Sequence, residues 1–197
     1  NFAYNQNKVL KEAITEASTT PSREGYPVGA IFAFPYAGID KDGQLTFYNK
    51  ETGQKESAKE FFKIREWGFG AYDLTPAEVR EKYEYIGSTD SPYSGGLTNT
   101  FTFKAFELGI NCIFNAGGYV RTQPTYSIMG YDRGQNTNRD ILQRWSSDNP
   151  SGTLPALLDG NVDPDSYIAL GGLNVYENLS LWVKKQNYLR VQSIRLG

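Results

Sequence analysis

The chain has 197 residues, a net charge of -2 and a pI near 5.3, which allows one ordinary domain with a real core and offers no basic surface for nucleic acid. Histidine is absent and Cys112 is the single cysteine, so Ser-His and Cys-His nucleophile systems, an internal disulfide and zinc sites built from His and Cys are excluded. Aromatic residues make up 14%, with fourteen tyrosines, more than a soluble enzyme usually carries.

"NFAYNQNKVL" opens the chain with Phe2 and Tyr4 alternating against Asn1, Ala3 and Asn5, as at the end of a strand over residues 1–10. No basic start and apolar run precede it as in a signal peptide, and no apolar stretch approaches the ~20 residues of a membrane helix. A long connection, residues 11–94, follows. Within it "PVGAIFAFPYAGID" and "QLTFYN" read as short strands flanking the turn Asp40-Lys41-Asp42-Gly43. "SAKEFFKIREWG" reads as a helical turn or two. Thr75-Pro76-Ala77-Glu78 is a capping box with proline at the first helical position, so a short helix is expected over residues 76–84.

"GGLTNTFTFKAFELGINCIFNAGG" carries the clearest periodicity. Leu97, Asn99, Phe101 and Phe103 alternate with Thr98, Thr100, Thr102 and Lys104. After Ala105 the alternation resumes with Phe106, Leu108, Ile110, Cys112 and Phe114 against Glu107, Gly109, Asn111, Ile113 and Asn115. Period two with a two-residue break predicts a tight hairpin of strands 97–104 and 106–120, one face apolar and the other polar. The apolar face must meet a protein core or lipid, and the polar face water or a polar lumen.

A second long connection, residues 121–186, holds a short helical pattern, "NRDILQRW". "NYLRVQSIRLG" then resumes strand character over 187–197. Its apolar parity slips from Leu189 and Val191 to Ile194 and Leu196, as a bulge or a strand buried on both faces requires. Compact domains rarely carry structureless loops beyond ~12–15 residues. Outer-membrane barrels, however, alternate short turns with long outer loops and need only about 9–11 residues per strand. About four strands cannot close a barrel, so the expectation is an all-β, antiparallel portion of a transmembrane barrel belonging to a longer polypeptide.

Several stretches then carry a family resemblance. "EGYPVGAIFAFPYAGIDKDGQLTFYN" resembles the G-x-P-x-G-x-x-x-G/A-x-x-Y-x-G-x-D-x-x-G loop of the SusC/RagA class of TonB-dependent outer-membrane transporters of gut and oral Bacteroidetes. "YIGSTDSPYSGGLTNTFTFKAFEL" is similar to the class's Y-I-G-x-x-x-P-x-x-x-G-G-x-x-N-x-x-x-Y/F-K-x-F-x-L segment. "NFAYNQNKV", "RWSSDNPSGTLPAL" and "SLWVKKQNYLRVQSIRLG" resemble its Asn-rich strand end, its R-W-x-x-x-N-P stretch and its W-x-x-x-x-S-Y-L-R-L strand, in the right order, with Asn187 where Ser or Gly is usual.

The resemblance implies the C-terminal part of a plugged barrel of about 22 strands. It also implies import of nutrient oligomers, glycan or peptide, with a SusD-like lipoprotein. TonB would act through a plug and TonB box outside this chain, in the outer membrane of a Gram-negative bacterium, with no enzyme activity and no cofactor. Phe101, Phe103, Phe106, Leu108, Ile110 and Phe114 would then face lipid, and Thr98, Thr100, Thr102, Glu107, Asn111 and Asn115 the lumen. Tyr119, Trp182 and Tyr188 would suit the interfacial girdles.

Four loop aromatics, Trp67, Tyr93, Tyr131 and Trp145, are the candidates for contact with ligand or lid. Asp40, Asp42 and Gly43, and likewise Asp159, Asn161, Asp163 and Asp165, echo calcium loops but lack the full ligand set of a calcium-binding hand, which favours plain turns. Two competing classes remain: a glycosidase using carboxylates such as Glu56, Glu60 and Glu66, and a soluble all-β carbohydrate-binding sandwich.

Overall fold

A computed structural model describes residues 1–65, 72–128, 134–157 and 174–197. The predicted hairpin is its longest feature. β1 (Phe2–Tyr4), β7 (Tyr93–Phe103), β8 (Phe106–Arg121) and β9 (Val183–Leu196) form one antiparallel sheet in the order β1-β7-β8-β9. β7 and β8 pair in unbroken register from Tyr93↔Ala116 to Phe103↔Phe106, and Lys104 turns the corner at φ 55°. The sheet does not close on itself, since β1 and β9 are its edges.

β8 keeps its expected bounds to within one residue, whereas β7, β9 and β1 depart from theirs. β7 begins at Tyr93 and not at 97, because Gly95 and Gly96, which interrupt the sequence period, are paired with Phe114 and Ile113. The Phe114 ring lies over Gly95, where an added Cβ would meet it at 2.7 Å. β9 begins at Val183 rather than 187, its charged stretch Lys184-Lys185-Gln186 pairing with Gly118 to Val120. β1 spans three residues and not ten.

The parity slip in β9 is a bulge: Asn111 pairs with Ser193 and Cys112 with Val191, leaving Gln192 extra. A second irregularity lies between Asn115 and Gly118. There Gly117 takes φ +85°, Asn187 Oδ1 accepts its N–H at 2.8 Å, and a Cβ would meet Pro92 Cγ at 2.7 Å. A side chain at 117 would be strained in backbone and in space together.

The two long connections are not structureless. The first holds β2 (Ala30–Ala33), β3 (Tyr36–Ile39), β4 (Leu45–Tyr48), β5 (Lys55–Ser57) and β6 (Glu84–Ser88), together with α1 (Ala58–Phe61) and α2 (Pro76–Glu81). β2 pairs with β6, and β3-β4-β5 form a meander. Both helices carry complete capping boxes, Ser57 with Glu60 and Thr75 with Glu78. α2 stops at Glu81, short of the expected 84, because Glu84 is already committed to the β2 pairing. The "NRDILQRW" helix is a single 3₁₀ turn, Arg139–Gln143.

The buried core lies in these connections rather than under the large sheet. Phe34, Phe47, Phe61, Phe62 and Val79 from the first pack with Tyr126, Val175, Leu179 and Trp182 from the second. Main-chain bonds join them: Phe34 N donates to Asn178 O at 2.8 Å, and Ser180 N to Phe34 O at 2.9 Å. The chain excursions at one end of the sheet thus share one apolar interior.

Candidate functional site

Alternation along β7, β8 and β9 segregates two faces, because paired residues of antiparallel strands point the same way. On one face Phe101 pairs with Leu108, Phe103 with Phe106, Leu108 with Leu196 and Ile110 with Ile194. Phe101, Phe103 and Phe106 are 55%, 70% and 68% exposed. Leu108, Ile110, Cys112 and Phe114 are half-buried among their neighbours in the same plane. Phe2 joins this face and contacts the rings of Tyr93 and Phe114. Among the described residues no second sheet covers the hairpin's apolar side, as a β-sandwich would require.

The opposite face is a polar row. Thr98 Oγ1 donates to Asn111 Oδ1 at 3.2 Å, Asn111 Nδ2 to Gln192 Oε1 at 3.3 Å, and Asn115 Nδ2 to Tyr188 OH at 3.2 Å. Thr100, Thr102 and Glu107 stand exposed on the same side. Toward the β1 edge this face hollows into a groove of about 570 Å³ floored by Ser94, Thr98, Asn111 and Asn115. The twelve residues expected on the two faces therefore divide by face as their parity demands. The Asn115–Tyr188 and Asn111–Gln192 bonds are cross-strand features that no single strand's periodicity reveals.

The aromatic residues of the loops and strand ends occupy several different environments. Tyr93 is a strand residue and not a loop residue, and its ring lies against Tyr4 with centroids 5.3 Å apart. Trp145 comes from the second connection and packs on the Asp40–Gly43 turn of the first, so that a Cβ at Gly43 would fall 2.7 Å from the indole. Trp67 and Tyr131 lie outside the described residues. Trp182 is no girdle residue: it is 5% exposed, and its Nε1–H donates to Tyr176 O at 2.8 Å inside the loop core. Tyr188 sits on the polar face, whereas a girdle residue would sit on the apolar one. Tyr119 stacks on the backbone of Gly87, joining β8 to β6.

The acidic groups near the loops are engaged locally. Asp40 Oδ1 accepts from the Asp42 and Gln44 N–H groups at 2.9 Å, which makes a side-chain turn. The second Asp-rich run, residues 159–165, and Glu66 lie outside the described residues. Glu56 accepts from Asn49 Nδ2 at 2.7 Å, and Glu60 closes the α1 capping box, where the Ser57 N–H and hydroxyl hold its carboxyl below the usual range. Bonds from the Thr75 N–H and hydroxyl, and then from Lys63, pull Glu78 down to about 2.

No protein-family model and no curated protein matches the chain. Solved structures do. The RagAB peptide importer in its 'closed-closed' state is similar with a TM-score of 0.58 at 18% identity, over 89% of this chain and 17% of that one. The same importer in its 'open-open' state gives 0.56 at 18% over 88% and 16%. A further structure of the RagAB peptide transporter gives 0.57 at 18% over 88% and 16%. At this identity the likeness is one of fold, and the chain spans about a sixth of the length of the proteins it matches. These neighbours are importers and not enzymes.

Proposed function

We propose that the chain is a stretch of barrel wall, with its outer loops, from a TonB-dependent outer-membrane transporter of the SusC/RagA type that imports short peptides or oligosaccharides with a SusD-like surface lipoprotein. The observation that carries this reading is the asymmetry of the β7–β8–β9 sheet. One face is bare and apolar through Phe101, Phe103, Phe106, Ile194 and Leu196, and the other is a bonded row of Thr, Asn, Gln and Tyr.

In water each large apolar side chain left unburied forgoes roughly 1.5–3 kcal/mol, and monomeric soluble proteins rarely expose contiguous patches beyond a few hundred Å². Against acyl chains that cost disappears. The polar face suits an aqueous lumen in which an oligomer slides past exchangeable hydrogen-bond partners. Both edge strands need partners, since unpaired backbone groups in lipid cost several kcal/mol each; the remaining barrel strands would supply them, and the plug outside this chain would receive TonB.

β8 has 16 residues and extends roughly 50 Å at about 3.3 Å per residue, which at a barrel strand's tilt of about 45° still rises roughly 37 Å, more than a hydrocarbon layer of about 30 Å. Its upper end would then rise beyond the membrane into the shared loop core, where a lid would dock. The likeness to the RagAB peptide importer favours peptides over glycans. The test is fractionation of cells carrying the full-length protein, followed by growth of a deletion strain on peptides or on oligosaccharides as sole nutrient. Outer-membrane residence with lost growth on one of them is expected; a freely soluble protein would overturn the reading.

A further inference from the structure

Where the segment 12–21 folds back over β2, a cavity of about 490 Å³ opens between that segment, Phe32, Tyr83 and Arg121. Its volume falls within the range of small-ligand sites, roughly 300–1,000 Å³. The outer wall is tied down on two sides. Glu12 accepts from Arg23 Nε at 2.9 Å and from Arg23 Nη2 at 2.6 Å, and Arg80 donates to the Glu16 and Ser18 carbonyls.

Arg121 stands at the loop end of β8 and is half-buried. Its Nη1 donates to Glu177 O at 3.2 Å and its Nη2 to Phe32 O, so the guanidinium is held by two carbonyls. Neither carries a charge. Among the described residues no carboxylate pairs with it, whereas the cavity's other arginine, Arg23, is neutralised by Glu12. A guanidinium has five N–H donors, so the two carbonyls leave donors over. Beside it stands Tyr83, whose ring is fixed on Phe34 at 4.0 Å between centroids; burial, the larger effect, pushes the hydroxyl's pKa up and the neighbouring Arg121 charge only partly offsets this, which keeps it a neutral donor at physiological pH.

We propose that this cavity is a subsite for a carboxylate group of the transported ligand, held by the free edge of Arg121 and the Tyr83 hydroxyl, with the Phe32 ring as its apolar wall. A planar guanidinium already oriented by two carbonyls presents its remaining donors with little further loss of freedom, and the carboxylate is the group it fits best. The carboxylate can come from a peptide C-terminus or from an acidic sugar. The inference rests on the transporter reading only for the origin of the ligand.

The test is calorimetric titration of the full-length protein in detergent with two probe pairs: trialanine against its C-terminal amide, and trigalacturonate against its methyl ester. The acid member of at least one pair should bind about tenfold tighter than its neutral partner, and the pair that discriminates identifies the source. Arg121→Gln should bring the discriminating pair within twofold. If Arg121→Gln fails to fold, as judged by loss of the protein's near-ultraviolet circular dichroism, then Tyr83→Phe decides, with a several-fold loss for the acid probe alone. Equal or undetectable affinities in the unaltered protein overturn the inference, as does a preference that survives Arg121→Gln or, in the second case, Tyr83→Phe. A protein that resides in the outer membrane yet fails these titrations loses the subsite and keeps the proposed function.

Discussion

Phe34→Ala should open the joint between the two outer connections. The side chain is fully buried, its ring meets Phe62 edge-on at 5.1 Å and Tyr83 at 4.0 Å, and its own N–H and C=O bond to Asn178 and Ser180 across the joint. A phenylalanine buries about 150–250 Å²; losing roughly two-thirds of that at ~25 cal/mol per Å² costs about 3 kcal/mol. Two ring contacts at ~0.5–1.5 kcal/mol each raise the cost to about 4–5 kcal/mol, the upper part of the range for Phe→Ala in cores. The assay is hydrogen exchange at the Ser180 amide, whose partner is Phe34 O. Since ~1.4 kcal/mol is a factor of ten, exchange should quicken about a thousandfold or reach the unprotected limit. A rise below about tenfold would refute the joint core.

Other perturbations probe the bulge and the α2 cap. Gly117→Ala forces a side chain onto a φ of +85° and against Pro92, so the unfolding midpoint in urea should fall by an amount equivalent to about 1–3 kcal/mol; Gly109→Ala, whose Cβ would make ordinary contact with Arg195 at 3.6 Å, should leave it nearly unchanged. Glu78, pulled from 4.5 to about 2 in the fold, contributes stability that is complete above the unfolded value and is lost as pH falls from 4.5 toward 2. The protection factor of the Val79 amide, which bonds to Thr75 O at 3.0 Å, should fall across that window in the unaltered protein and stay flat in Glu78→Gln.

How far the sequence reveals these features depends on the range of the physics behind each. The hairpin is legible because period two and a two-residue break are local signals, and the β9 bulge is legible because a slip in parity can be counted. The α2 cap is legible from four residues. β5 and β6 are not: Lys55–Ser57 is three polar residues whose strand form comes from the neighbouring β4, and Glu84–Ser88 is five residues whose partner β2 lies about fifty residues back. Trp182 shows the same limit: beside a strand it suits an interface girdle, and only Tyr176, Leu179 and the distant Phe34 make it core. The glycines of β7 hid its first four residues, since a missing side chain breaks a pattern that the backbone continues. The cavity at Arg121 draws on segments 12–21, 30–32, 83 and 178, which no linear motif connects.

What touches the even-numbered side chains from 106 to 114 of β8 separates a barrel wall from a soluble sheet. Single cysteines placed from 106 to 115 in the full-length protein with Cys112 replaced by alanine, each carrying a fluorophore, can be titrated in vesicles with brominated lipids and with aqueous iodide. Lipid quenching that peaks at 106, 108, 110 and 114, with iodide quenching that peaks at 107, 111 and 115, is the predicted result. Positions 106, 108 and 110 quenched by iodide and untouched by brominated lipid would contradict it.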